Sequence, residues 1–258
     1  MQQTVLITGG SSGIGLALAE QFAADRYHVV LAARSEAELA EARQRLAAKY
    51  AVRVTAISVD LAAEEGVALL MDKLERESLR VDVMVNNAGC GFYGPFSLTS
   101  EQDECAMIDL NIRNLTRLTK RVLPAMLASK RGGIINVAST AAFQPGPYMA
   151  VYYAAKSYVL SFTEALASEL RGTGIQVTAL CPGPTDTRFA ERADAAEARL
   201  FAAGRMQADE VARQGYRGYR HGRRIVIPGW RNRMMALSVR FVPRAVVLAI
   251  VKFLHRTN

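Results

Sequence analysis

Cysteine is scarce in this chain of 258 residues: Cys90, Cys105 and Cys181 are an odd number, with no C-x-x-C pair and no companion histidine cluster. That pattern excludes a disulfide-stapled scaffold and a zinc site, and it fits a reducing cytosol. The three histidines, His28, His221 and His255, stand far apart without ligand spacing, so no metal is expected. Long apolar runs are missing too. The nearest, Met234 to Leu254, is interrupted by Arg240, Pro243, Arg244 and Lys252, whereas a spanning helix needs roughly 18 apolar residues in a row. No basic segment precedes an apolar one at the N-terminus, so no secretory signal is expected. Acidic residues are absent from Gln214 to Asn258, a stretch that holds ten basic ones. Before position 214 the balance is 22 basic against 24 acidic, so the whole net charge of +8 resides in the last 45 residues. A near-neutral body and an apolar basic tail lack an interleaved basic and aromatic surface, so no nucleic-acid partner is expected.

Hydrophobic residues make up 50% of the chain and charged residues 22%, proportions that exclude a disordered polymer. Short runs rich in Val, Ile and Leu alternate with longer stretches of helical period. Thr4 to Ile7, Val29 to Ala32, Val52 to Val59, Val81 to Asn86, Gly133 to Ala138 and Ile175 to Cys181 read as six strands. Helices are expected over Ile14 to Ala24, Glu36 to Tyr50, Glu64 to Glu77, Glu104 to Ser129 and Tyr152 to Arg171. Strands without polar alternation, separated by helices, imply a parallel sheet covered on both faces: a doubly wound, Rossmann-like α/β domain. A helical excursion from Thr187 to Tyr219 precedes a seventh short strand, Arg224 to Ile227. The division expected is one domain over 1–229, with a substrate-loop region near 187–222, and a basic apolar helical extension over 230–258.

The first strand runs into Thr8-Gly9-Gly10-Ser11-Ser12-Gly13-Ile14-Gly15, where a strand must turn into a helix. Glycine permits the positive φ of such a turn and lets backbone approach a pyrophosphate. The helix N-terminus that follows offers unpaired N–H groups and the positive end of a dipole. A tight turn alone would explain a glycine cluster, but the strand-loop-helix setting selects a phosphate cradle.

This G-x-x-x-G-x-G loop, Asn86-Asn87-Ala88-Gly89 after the fourth strand, Ser139 after the fifth, Tyr152 with Lys156, and Pro182-Gly183 after the sixth together resemble the short-chain dehydrogenase/reductase family. The resemblance covers about the first 190 residues in the family's order, and Ser139 stands 13 positions before Tyr152, as in the family pattern. It implies an oxidoreductase that interconverts a ketone or aldehyde and an alcohol with a nicotinamide cofactor. It also implies a homodimer or homotetramer built on the helices Glu104 to Ser129 and Tyr152 to Arg171. Cofactor contacts would fall on Thr8, Gly9, Ser11, Ser12, Gly13, Ile14 and Gly15, on Asp60-Leu61 at the adenine, and on Asn87, Ala88 and Gly89. Pro182, Gly183, Thr185 and Thr187 would lie beside the nicotinamide. Helix capping is the alternative for Asp60 and for Thr187.

Cofactor choice is read at the end of the second strand, Leu31-Ala32-Ala33-Arg34-Ser35. An NAD site usually places a carboxylate there for the ribose 2'-OH, whereas a 2'-phosphate needs a cation. Family members that use NAD carry Asp where Ala33 stands, and Arg34 can fork onto a phosphate, so NADP(H) is the expected cofactor.

Tyrosine, with an ordinary pKa of about 10, is a poor acid-base group at neutral pH unless a cation lowers it. Tyr152 and Lys156 are i and i+4 and share one helix face, while Tyr153 falls outside that frame. By resemblance Tyr152 is the general acid/base, Lys156 lowers its pKa and binds the nicotinamide ribose, and Ser139 bonds the substrate oxygen. Asn111 would support a water-linked proton relay to the lysine.

Substrate choice is expected from the loops Cys90 to Leu98, Thr140 to Met149 and Thr187 to Met206. Phe92, Tyr93, Phe96, Phe143, Tyr148, Met149, Phe189 and Phe201 there suggest an apolar substrate, or ordinary loop packing. Cys90 reads as a plain small residue rather than a reactive thiol. In the tail, Pro243 separates Met234 to Val242 from Arg244 to Leu254, and the second piece is apolar on every side. Docking on its own domain, a subunit interface, and an anionic membrane surface are the three roles open to it. Cytoplasmic placement is expected, with membrane contact confined to this end.

Overall fold

Short runs of β-branched and aliphatic residues form the strands, because extended backbone accommodates branching at Cβ and both faces of the sheet are covered. The computed structural model describes residues 2–193 and 204–255. Its strands are β1 (Thr4–Thr8), β2 (His28–Ala33), β3 (Val54–Ser58), β4 (Val83–Asn86), β5 (Gly132–Val137), β6 (Ile175–Leu180), β7 (Thr185–Asp186), β8 (Met206–Gln207) and β9 (Ile225–Val226). Seven of them make one parallel sheet in the order β3-β2-β1-β4-β5-β6-β9, and β7 and β8 form a separate parallel pair.

The helices are α1 (Gly13–Ala24), α2 (Glu36–Tyr50), α3 (Gly66–Arg76), α4 (Glu101–Ile108), α5 (Leu115–Ala128), α6 (Ala150–Glu169), α7 (Phe189–Arg192), α8 (Ala208–Arg220), α9 (Trp230–Ser238) and α10 (Arg244–His255). α1, α2 and α8 bury one sheet face around Phe22, whose ring meets Tyr216 edge-on at 4.7 Å. α3, α5 and α6 bury the other around Leu6, Met84 and Ile134. Each such fully buried side chain contributes about 1.5–3 kcal/mol.

Local boundaries depart from the sequence pattern in four places. Ala51 turns left-handed at φ 50° after α2, which delays the third strand from Val52 to Val54. The helix expected over Glu104 to Ser129 is interrupted by a π-helical turn, Asp109–Asn114, between α4 and α5. The excursion from Thr187 to Tyr219 is not one helix: α7 has four residues, β8 pairs with β7, and α8 begins at Ala208. Phe201 within it and Arg256 beyond α10 lie outside the described residues. In the tail, Gly229 at φ 81° starts α9 at Trp230, four residues early, and Pro243 separates it from α10.

Candidate active site

The strand order reverses between β1 and β4, and a crevice at the strand C-termini is the expected ligand site in such a sheet. A cavity of about 800 Å³ occupies it. Gly9, Ser11, Ser12, Gly13 and Ile14 line one end. Gly9 and Gly13 hold φ of 62° and 54°, conformations that β-carbons disfavour. A β-carbon on Gly15 would overlap the Gly9 carbonyl oxygen. Ser12 caps α1 through backbone only, so the first-turn N–H groups receive no side-chain oxygen.

Thr8 and Gly15 themselves do not line the cavity, contrary to the contacts expected of them. Thr8 is buried, and its Oγ1 accepts from the Asn87 and Ala88 N–H groups at 3.0 Å, stitching β1 to the end of β4. Asn87 Nδ2 donates to the Thr8 and Gly9 carbonyls at 2.9 and 3.1 Å. Nearby stand exposed Arg34 and Asp60 and buried Leu61, and Asp60 Oδ1 also accepts from the Ala62 N–H at 2.9 Å. One group there went unnoticed in the sequence. Glu38 accepts from Ser11 at 2.9 Å and pairs with Arg188 at 2.8 Å and Arg192 at 3.7 Å, tying α2 to α7 across the cavity rim. The Arg188 guanidinium, more than the opposing effect of burial, holds the Glu38 carboxyl below the usual range.

Along the opposite wall, one turn of α6 carries Tyr152 and Lys156. Ser139, two residues past β5, accepts from the Ala141 N–H at 3.0 Å and donates to the Pro182 carbonyl at 3.4 Å. Loss of water raises the Tyr152 phenol to about 12, with a hydrogen bond from Ser139 opposing the rise. Lys156 is 6% exposed, donates to the Val137 carbonyl at 2.9 Å, and burial brings its ammonium down to about 8. Its Nζ lies 5.7 Å from the Tyr152 ring centre. The lysine was expected to lower the tyrosine. Here desolvation outweighs the opposing hydrogen bond from Ser139 and leaves the Tyr152 phenol above its ordinary value. Tyr153 takes a different part, bonding His255 Nε2 through its hydroxyl at 2.9 Å.

Asn111 sits in the π-helical turn, 1% exposed, and does not reach the cavity. Its Oδ1 accepts from the Cys90 N–H at 3.1 Å and its Nδ2 donates to the Cys90 carbonyl at 2.9 Å. The side chain thus brackets the Cys90 backbone, bonding both its N–H and its carbonyl from the π-helical turn. Burial raises the Cys90 thiol against the pull of Lys156 and Arg34, so it is not an activated nucleophile. Ala88, Gly89, Pro182, Gly183, Thr185 and Thr187 all border the cavity; Thr187 also accepts from the Phe189 N–H at 3.3 Å, while Arg188 stands at the start of α7.

Of the loop aromatics, Phe92, Met149 and Phe189 line the cavity; Phe96 is 67% exposed and Phe143 packs under Ala138 and Val159. Gln144 lines it too, and its buried Oε1 has no partner among the described residues. Most of the apolar roof comes instead from the tail: Met235, Val239, Val247, Ile250 and Val251. α10 docks through Val247 and Val251 and ends in a latch. His255 Nδ1 bonds the Pro147 carbonyl at 2.7 Å, its Nε2 meets Tyr153, and Tyr93 donates to its carbonyl. Burial lowers the His255 imidazole below its ordinary value, in keeping with the neutral ring that accepts from Tyr153.

Residues 3–198 match the family described as short chain dehydrogenase. The chain belongs to this family. A short chain dehydrogenase from Sphingobium yanoikuyae, solved in complex with NADPH, superposes with a TM-score of 0.83 at 34% identity, covering 93% of each chain. Another from Burkholderia phymatum, in complex with NAD, gives a TM-score of 0.81 at 26% identity over 93% of this chain and 92% of that one. Sulfoacetaldehyde reductase 2 of Chromohalobacter salexigens is 37% identical over 191 residues, 73% of this chain and 75% of its own. The protein is thus an oxidoreductase of this family with a nicotinamide-binding fold.

Proposed function

We propose that the protein interconverts an apolar ketone or aldehyde and its alcohol with NADP(H), using Tyr152 as general acid and base. The observation that carries this reading is the convergence on one cavity of a glycine cradle, a cation at the end of β2, and Tyr152 beside Ser139 and Lys156. The residues fit the cofactor. Two glycines with left-handed backbone and an uncapped helix start suit a diphosphate, and Ala33 followed by exposed Arg34 leaves room and a charge for a 2'-phosphate. The NADPH held by the Sphingobium relative supports the same choice. Bound there, the cofactor supplies or accepts the hydride.

The chain's own residues manage the proton. Ser139 Oγ, next to the Tyr152 hydroxyl, fixes the substrate oxygen. Tyr152, protonated at neutral pH with its pKa near 12, donates as negative charge develops on that oxygen. Lys156 is still cationic at neutral pH and stabilises the tyrosinate left behind. Asn111 positions the Gly89-Cys90 backbone, and the roof of α9 and α10 excludes water and favours an apolar substrate, with Gln144 Oε1 as an acceptor inside. A homo-oligomer through the outer faces of α5 and α6 belongs to the same reading.

Tyr152→Phe tests it: NADPH oxidation with a panel of apolar carbonyls should fall at least 100-fold. Retained turnover would overturn the mechanism. Arg34→Ala should weaken NADPH binding about tenfold and leave NADH unchanged, measured by nucleotide fluorescence titration.

A further inference from the structure

The outer side of α9, α10 and the turn between them is apolar and basic at once. Trp230 is 73% exposed, Met234 60% and Phe241 86%. α10 buries only Val247, Val251 and His255, leaving Ala245, Val246, Leu248 and Ala249 turned outward. A helix facing water normally carries polar side chains on that side. Among these apolar groups stand Arg231, Arg233, Arg240, Arg244 and Lys252, all exposed. Among the described residues, none of the five pairs with a carboxylate. The Arg231 guanidinium lies 5.5 Å from the Trp230 ring centre, which places aromatic and cation together on the surface.

We propose that this face docks on an anionic lipid bilayer, with Trp230, Met234 and Phe241 at the acyl boundary and the arginines among the headgroups. Charge selects the occupant. A second copy meeting this face about a two-fold axis would oppose identical cations, with no Asp or Glu after Gln214 to neutralise them. A negatively charged lipid surface supplies the missing sign, and interleaved aromatics and arginines are what such an interface favours. No helix among the described residues is long and apolar enough to cross a membrane, so the contact lies along the surface. Met235, Val247 and Ile250 line the cavity, so the helices that carry this face are also the cavity's wall.

Trp230 is the only tryptophan of the chain and reports the contact directly. Mixed with vesicles of phosphatidylglycerol and phosphatidylcholine, the full-length protein should show a saturable blue shift of emission, quenched by bromine-labelled acyl chains. Pure phosphatidylcholine should give little. Arg240→Gln with Arg244→Gln should lower the partition constant about fivefold per arginine. Phe241→Ser should weaken it as well, with the circular-dichroism melting curve of each variant unchanged because these side chains are exposed. The proposal is overturned by an emission spectrum that anionic vesicles leave unmoved, or by equal binding to neutral and anionic vesicles. Light scattering showing self-association that Phe241→Ser abolishes would assign the face to a second copy instead. None of these readouts uses turnover, so they stand apart from the catalytic assignment.

Discussion

Lys156 is an ammonium held where water barely reaches, and its Nζ donates to the Val137 carbonyl. Its folded pKa, about 8, lies below the unfolded value of about 10.5. Below pH 8 the buried charge is therefore a full burden on the fold, and the burden lifts as pH rises from 8 to 10.5, where the unfolded chain binds more protons. Lys156→Met should abolish turnover yet raise Tm at pH 7 by about 2–4 °C, a gain on the order of 1 kcal/mol for a domain of this size. The advantage should disappear in melts at pH 10. Tyr152, shifted upward, acts in a separate window: its contribution to stability persists below pH 10 and declines between 10 and 12. Helix spacing put Tyr152 and Lys156 on one face, and the resemblance to the family pattern marked Ser139. Spacing was silent on Thr8 and Asn111, whose side chains are committed to neighbouring backbone by tertiary geometry.

Among the elements, α10 carries its own consequence. His255 is the knot that fastens it, joined to Pro147, Tyr153 and Tyr93. His255→Ala leaves the Tyr153 hydroxyl and the Pro147 carbonyl without that partner, a loss of about 1–3 kcal/mol in urea unfolding. With the roof loosened, KM for apolar substrates should rise more than kcat falls in steady-state assays. The six central strands and the glycine loop were legible because their patterns are short and locally determined. The roof was not, since a helix apolar on every side announces no inward face, and the aromatic loops that drew attention turned out partly to serve as braces. The π-helical turn was equally hidden: one extra residue in Asp109–Asn114 leaves no mark in hydrophobic period.

Across the whole molecule, Glu20 and Glu38 are among the carboxylates that tie distant elements. Glu20 joins α1 to α2: burial pushes its carboxyl up, but hydrogen bonds from Lys49, Arg45 and Tyr50 together hold it below the ordinary value. Glu38, held down by Arg188, joins α2 to α7. Depressed carboxylates stabilise the fold above their unfolded pKa of about 4.3 and lose that contribution as pH falls through the folded one. Urea midpoints should therefore drop steeply below about pH 4.3, and Glu20→Gln should flatten that drop while lowering stability at pH 7 by on the order of 1 kcal/mol. The latch of α10 spans the molecule in another sense. It bonds His255 to partners 102, 108 and 162 positions earlier. Contacts so distant along the chain form late, and every strand of the sheet leaves the ribosome before His255 does. The cavity is therefore born without its ceiling, and the nascent protein completes its glycine loop before it can close the space beside it.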